Sequence, residues 1–338
     1  MVPFNQSRVT AMRATWISSW LLFSFLPCAP AALGGVAPEL HVQKADAGSG
    51  SAFNSIWMIS TRHLNCPCGP SLGSTDFRFF RYDPAAGWQT ADEARWAQDE
   101  RLDAVTLVYV HGNRIEPEEA SSRGLAAYRA LLRNLPDSSP VRFVIWSWPS
   151  SKVHGPRPRR DAQTKAARTA CESYFLATFL NGLETDAQLR LLGYSFGARI
   201  VSGALHLAGG GTLGRYHLME LKQRPANSVR VVLQAAAMNN QWWLPGGYHD
   251  QSFSQVERLL LLYNPCDPVL RRYPRLDPGC SGQALGYTGL GRPGRLGQDA
   301  ERLEQANVCC QIGKTHDERA YFASETLMRR ARETLLAP

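Results

Sequence analysis

Gly193-Tyr194-Ser195-Phe196-Gly197 follows directly on a short apolar run, Leu189 to Leu192, and leads directly into a helix-like stretch, Ala198 to Leu207. Strand, glycine-flanked tight turn and helix are the setting of a nucleophile elbow, in which a strained serine is presented at the end of a sheet. Such a turn needs glycine at Gly193 and Gly197, because the adjoining strands and helix crowd it and a side chain there would clash. A Gly-x-Ser-x-Gly string is a weak signal by itself, and here its flanks give it weight.

Toward the N-terminus, Val105 to Val110 is a β-branched apolar run that stops at His111-Gly112-Asn113-Arg114. A buried strand ending in His-Gly predicts an oxyanion loop. The glycine lets the backbone turn so that the Asn113 amide points at a developing negative charge, with the Phe196 amide as the second donor. Taken alone, the same segment reads as an ordinary strand end with a histidine capping a turn.

Toward the C-terminus come strand candidates Val229 to Leu233 and Leu259 to Tyr263, the second running into Asn264-Pro265-Cys266-Asp267-Pro268. Asp267, just past a strand end, is placed to accept a hydrogen bond from a histidine ring and fix its tautomer. Asp-Pro also opens turns, and the two roles are compatible. A serine, acid, histidine order demands a histidine beyond the acid. Of the eight histidines only His316 meets that demand, in Lys314-Thr315-His316-Asp317-Glu318 ahead of a helical pattern from Arg319 to Leu336.

Together these ordered motifs resemble the α/β-hydrolase superfamily, and within it a bacterial branch with a strand ending in His-Gly, a strand ending in Trp-Pro-Ser, a Gly-His-Ser-Met-Gly elbow, a late acid and a final histidine. The corresponding positions are His111-Gly112, Trp148-Pro149-Ser150, Gly193 to Gly197, Asp267 and His316, over roughly residues 53 to 335. Tyr194 and Phe196 depart from the branch, which has histidine and methionine there, and both flank the nucleophile where they shape the acyl pocket. The resemblance implies an α/β-hydrolase fold with a mostly parallel central sheet flanked by helices. It also implies a triad of Ser195, Asp267 and His316 that uses no metal and no organic cofactor. It leaves the substrate open.

With 338 residues, 44% of them hydrophobic and 20% charged, the chain has enough apolar mass for one large core. Strand patterns at Ile56 to Ser60, Phe77 to Tyr82 and Val141 to Ser147 alternate with helix patterns at Glu116 to Asn134 and Asp161 to Leu183, which argues for one α/β domain over residues 53–338. No internal repeat, phosphate loop or dinucleotide fingerprint is present. The N-terminus differs: Trp16 to Pro27 is apolar, behind Arg8 and Arg13 and ahead of Ala29-Pro30-Ala31, the pattern of a signal peptide over residues 1–32. A membrane anchor is the alternative, and residues 33–52, rich in Ala, Gly and Ser, read as a tether. The expected location is secreted, periplasmic or the cell envelope.

Removal of the leader leaves seven cysteines, an odd number, in a compartment that permits disulfides. Spacing suggests a bridge among Cys266, Cys280 and the Cys309-Cys310 pair that ties the acid loop to the histidine loop. A zinc site from Cys66, Cys68, Cys309 and Cys310 is the rival, with spacings that suit a single ion poorly. A formal charge of +8, concentrated in Lys152 to Arg168, points to an anionic membrane or envelope surface or an anionic substrate. Nothing in the chain resembles a nucleic-acid fold. Gln241-Trp242-Trp243-Leu244 reads either as an exposed pair of indoles lining an apolar groove or as core.

Two functions fit this pattern. The first is a serine hydrolase cleaving a small-molecule or lipid ester, or a thioester, with an acyltransferase using the same residues. The second is a hydrolase-fold binding or envelope-interaction protein with little turnover. A complete ordered set of triad residues favours the first.

Overall fold

Val105–Val110 and Val141–Ser147 carry apolar residues at successive rather than alternate positions, apart from Thr106, Arg142 and Ser147, as suits strands covered on both faces. The computed structural model, which describes residues 54–67, 76–99, 105–132, 140–153, 155, 157–222, 224–225, 228–276 and 282–337, places them side by side in the middle of a nine-stranded sheet. The leader, the tether, Cys68 and Cys280 lie outside the described residues. In chain order the strands are β1 (Ser55–Ser60), β2 (Arg78–Asp83), β3 (Gly87–Ala91), β4 (Val105–Val110), β5 (Val141–Ser147), β6 (Leu189–Tyr194), β7 (Val229–Gln234), β8 (Val256–Tyr263) and β9 (Leu303–Asn307). Their spatial order is β3-β2-β1-β5-β4-β6-β7-β8-β9. Every neighbouring pair from β1 to β9 across the sheet is parallel, and β2 pairs antiparallel with both β1 and β3 at one edge. This is the mostly parallel, helix-flanked sheet of the α/β-hydrolase fold.

Eight helices accompany the sheet among the described residues: α1 (Glu93–Gln98), α2 (Pro117–Leu132), α3 (Pro158–Gly182), α4 (Phe196–Ala208), α5 (Leu285–Thr288), α6 (Cys309–Ile312), α7 (Glu318–Ala323) and α8 (Glu325–Leu336). Successive side chains of a strand point to opposite faces, and β5 uses this to separate the layers. Gly124 of α2 rests on Ile145, where an added Cβ would meet the Ile145 side chain at 2.2 Å. The next residue, Trp146, packs against Phe179 of α3 with ring centroids 5.5 Å apart. α2 and α3 therefore cover opposite faces, with α7 and α8 packed on α2 and α4 packed on α3.

Several expectations change. The last helical pattern is two helices, α7 and α8, broken at Ser324, whose ψ of 100° is extended. β3 and β9 are not visible as apolar runs because they lie at the sheet edges, where Gly87–Ala91 and Leu303–Asn307 leave most side chains outside the core. The groove of exposed indoles is corrected outright, because Trp242 and Trp243 are both buried. The turn that carries them folds back on itself, with the His249 amide donating to the Trp242 carbonyl at 2.8 Å. Trp243 Nε1 donates to Ser202 Oγ of α4, and the Arg199 guanidinium covers Trp242 at 4.5 Å.

Candidate active site

Parallel register sets the site. Val110 pairs with Gly193, Gly193 with Leu233 and Leu262 with Gln234, so β4, β6, β7 and β8 all end at the same edge of the sheet. The loops carrying Asn113, Ser195 and Asp267 leave from that edge, the usual place for a site in an open parallel sheet.

Ser195 sits between β6 and α4 with φ 53° and ψ −116°, a conformation that costs a non-glycine residue roughly 1–3 kcal/mol. The surroundings hold it there: its amide donates to the Gln234 carbonyl at 3.0 Å and its carbonyl accepts from the Ala237 amide at 3.1 Å. The two glycines are required sterically. A Cβ at Gly197 would lie 2.0 Å from the Val110 carbonyl oxygen, and one at Gly193 would lie 2.6 Å from Ala198 Cα.

Ser195 Oγ is 3.0 Å from His316 Nε2, and His316 Nδ1 is 2.6 Å from Asp267 Oδ2. The structure thus brings the three sequence-predicted residues into one hydrogen-bonded line. Asp267 is fully buried, and its second oxygen accepts from the amides of Val269 and Leu270 at 2.8 and 3.0 Å, which leaves Oδ2 aimed at the ring. Charge-assisted bonds of this kind fix orientation as well as stabilising the carboxylate.

The loop after β4, expected from the sequence to hold an oxyanion, is fixed from behind. His111 is fully buried and stacks on Trp148 at 5.8 Å, while Trp148 Nε1 donates to the His111 carbonyl at 2.8 Å. Burial pushes the His111 imidazole down to about 3, so it is neutral at ordinary pH and serves the loop as packing. Gly112 lies against Ser195, since a Cβ added there would meet Ser195 Cβ at 3.3 Å. Among the described residues the amides of Asn113 and Phe196 have no protein acceptor, and both residues line the cavity in front of Ser195. Tyr194 and Phe196, the two departures at the elbow, line it too, and the Tyr194 ring lies 5.4 Å from His316.

Two ties join the acid loop to the histidine loop. Asn264 Nδ2 donates to the Gly313 carbonyl at 2.9 Å, and Cys266 is bonded to Cys309 with Cα atoms 5.5 Å apart. The expected bridge is thereby placed. A second disulfide, Cys66–Cys171, joins residues 105 positions apart. With Cys66 and Cys309 both in disulfides, the zinc alternative is corrected; Cys310 is free and exposed.

Sequence reasoning missed a buried group beside His316. Glu318 is fully buried, and its carboxyl is pushed up to about 7, chiefly by burial and against the pull of Tyr109 and Arg123. Arg123 donates to it at 3.3 Å and to Glu119 at 2.6 Å. Its position two residues after His316, at the start of α7, gave no local signal of burial. The cavity has a volume of about 760 Å³, within the range of small-molecule sites.

No protein-family model matches the chain, and no curated protein matches it. Solved structures of loosely similar shape exist. Acyl-protein thioesterase 2 from Zea mays is 16% identical over 60% of this chain and 84% of its own, with a TM-score of 0.33. Carboxyl esterase 2 from the mycorrhizal fungus Tuber melanosporum is 12% identical over 77% and 82%, with a TM-score of 0.35. A phosphonate-inhibited esterase B from Lactobacillus rhamnosis is 10% identical over 82% and 83%, with a TM-score of 0.36. Likenesses this loose say nothing of activity.

Proposed function

We propose that this chain is an exported serine hydrolase that cleaves a carboxylic ester or thioester through an acyl-enzyme intermediate. The observation that carries the reading is the unbroken line Ser195, His316, Asp267 opening on a cavity large enough for a small acyl substrate. In this reading Ser195 Oγ attacks the acyl carbon as its proton passes to His316 Nε2. Asp267 stabilises the imidazolium, and the amides of Phe196 and Asn113 hold the tetrahedral oxyanion. His316 then gives the proton to the leaving alcohol or thiolate. Water, deprotonated by the same histidine, releases the acid and regenerates Ser195. An acyltransferase differs only in admitting an alcohol in place of water.

Export is supported by the apolar leader pattern behind Arg8 and Arg13 and by two disulfides, which persist in oxidising compartments. Fractionation of cells expressing the full chain tests it, with the mature chain expected outside the cytoplasm and one lacking residues 1–32 expected within it. The activity is tested by p-nitrophenyl esters of increasing chain length with the mature protein and its Ser195→Ala, Asp267→Ala and His316→Ala forms. Turnover in the wild type and its loss in the variants support the hydrolase, and the chain-length optimum reports the cavity. A folded wild type with no turnover turns the reading to a binding protein at the cell envelope.

A further inference from the structure

Six arginines line the cavity in front of Ser195, namely Arg114, Arg123, Arg159, Arg272, Arg275 and Arg319, against two carboxylates, Asp317 and Glu318. Three of the arginines have protein partners. Arg123 holds Glu119 and Glu318, Arg319 holds Asp317 at 3.0 Å, and Arg114 lies 3.9 Å from Asp161. Arg159, Arg272 and Arg275 are exposed and meet no carboxylate among the described residues.

Two of these three are aimed by the local helix. Leu270–Arg275, three residues beyond Asp267, is a 3-10 helix. Three residues per turn bring positions i and i+3 onto one side. Val269, Arg272 and Arg275 form one such row and Leu270, Tyr273 and Leu276 the next; both rows line the cavity, whereas Arg271 and Pro274 are not part of its lining. The segment that follows the residue orienting His316 therefore also presents two guanidinium groups and an apolar strip to the same space. Arg159 joins them from the first turn of α3.

A guanidinium group is a planar fork of donors that matches carboxylate and phosphate oxygens and keeps its charge at any physiological pH. A cleft lined with one sign of charge concentrates ligands of the other. We infer that the substrate is an anionic ester or thioester: a carboxylate or phosphate, carried a few atoms from the scissile carbonyl, is held by Arg272 and Arg275, with Arg159 adding to the same field. The apolar part of the molecule lies along Val269, Leu270 and Leu276. This assignment rests on the hydrolase reading and supplies the substrate class that reading leaves open.

The test compares matched pairs of substrates. For an acyl-side carboxylate, kcat/KM is measured for mono-p-nitrophenyl glutarate against p-nitrophenyl pentanoate. For an alcohol-side phosphate, acid release is titrated for butyryl glycerol 3-phosphate against monobutyrin. The wild type is expected to prefer the anionic member of one pair by about tenfold or more, the size of one charge-assisted hydrogen bond at a partly exposed site. Which pair shows the preference locates the anion. Arg272→Gln with Arg275→Gln is expected to erase most of that preference, and Arg271→Gln, off the cavity, to leave it. Hydrolysis of neutral esters with no preference in either pair, or a preference that survives the double variant, overturns the assignment and leaves the hydrolase standing. If a folded wild type hydrolyses none of the four and Ser195 takes no fluorophosphonate, both readings are overturned.

Discussion

On one side of the site, Ser195 and the loop after β4 are held by close packing of backbone. Gly197 passes so near the Val110 carbonyl that no side chain fits, and Ser195 keeps a strained φ of 53° because its amide and carbonyl are gripped by the end of β7 and the residues just beyond it. On the other side, Asp267 and His316 stand on loops after β8 and β9 that are positioned by side chains: Asn264 reaching Gly313, the Cys266–Cys309 bond, and Asp267 itself accepting two amides. The first half is rigid by exclusion and the second by cross-linking. The two halves should therefore fail differently when altered, the first through strain and the second through loss of alignment.

The largest effects lie where the halves meet. Ser195→Ala and His316→Ala are each expected to lower kcat for ester hydrolysis by roughly 10⁶-fold, and Asp267→Asn by about 10⁴-fold, because the three act as a unit. Steady-state kinetics on one p-nitrophenyl ester reads all three. Next comes the cross-link. Cys266→Ser opens a loop spanning 43 positions, and loop-closure entropy puts the loss at about 4 kcal/mol of unfolding free energy in denaturant titration. Activity in the folded fraction is expected to fall as well, because the acid and histidine loops lose their bond.

Gly197→Ala is expected to cost about 3 kcal/mol through overpacking against Val110. If Gly197→Ala proves neutral, close packing does not hold the first half. A comparable effect, spread over pH, concerns Glu318, whose folded pKa of about 7 exceeds the ordinary glutamate value of 4.5. The folded state holds the extra proton between those values, so this group makes stability fall as pH rises from about 4.5 to 7, by up to about 3 kcal/mol. Glu318→Gln should flatten the plot of stability against pH in that window, and an unchanged slope would contradict the assignment.

The contrast between the halves also explains what could be read in advance. The elbow was legible because exclusion acts locally: Gly193, Ser195 and Gly197 are close together in sequence, and their flanks announce strand and helix. Asp267 and His316 were legible through chain order alone, since β8 had to end before the acid and one histidine remained. Features built at long range were not legible. Cys171 lies inside α3, 105 positions from its partner Cys66, and nothing local distinguishes it from a packing residue. Trp242 and Trp243 could be read as groove or as core because they follow a strand end, and the turn folds back onto α4 and buries both. Arg272 and Arg275 share a side of a short 3-10 helix, and that this side faces the cavity depends on how the loop after β8 turns, which Leu270-Arg271-Arg272-Tyr273-Pro274-Arg275 does not announce.

If the two halves together activate one serine, its reactivity must depend on the histidine that the other half supplies. Fluorophosphonate labelling followed by peptide mass mapping measures this directly, on the wild type and on His316→Ala at equal concentration. The expected result is a single modification, on the peptide containing Ser195, that forms in the wild type and is slowed by several orders of magnitude in His316→Ala. A folded wild type that stays unlabelled, or that is labelled no faster than His316→Ala, would contradict it.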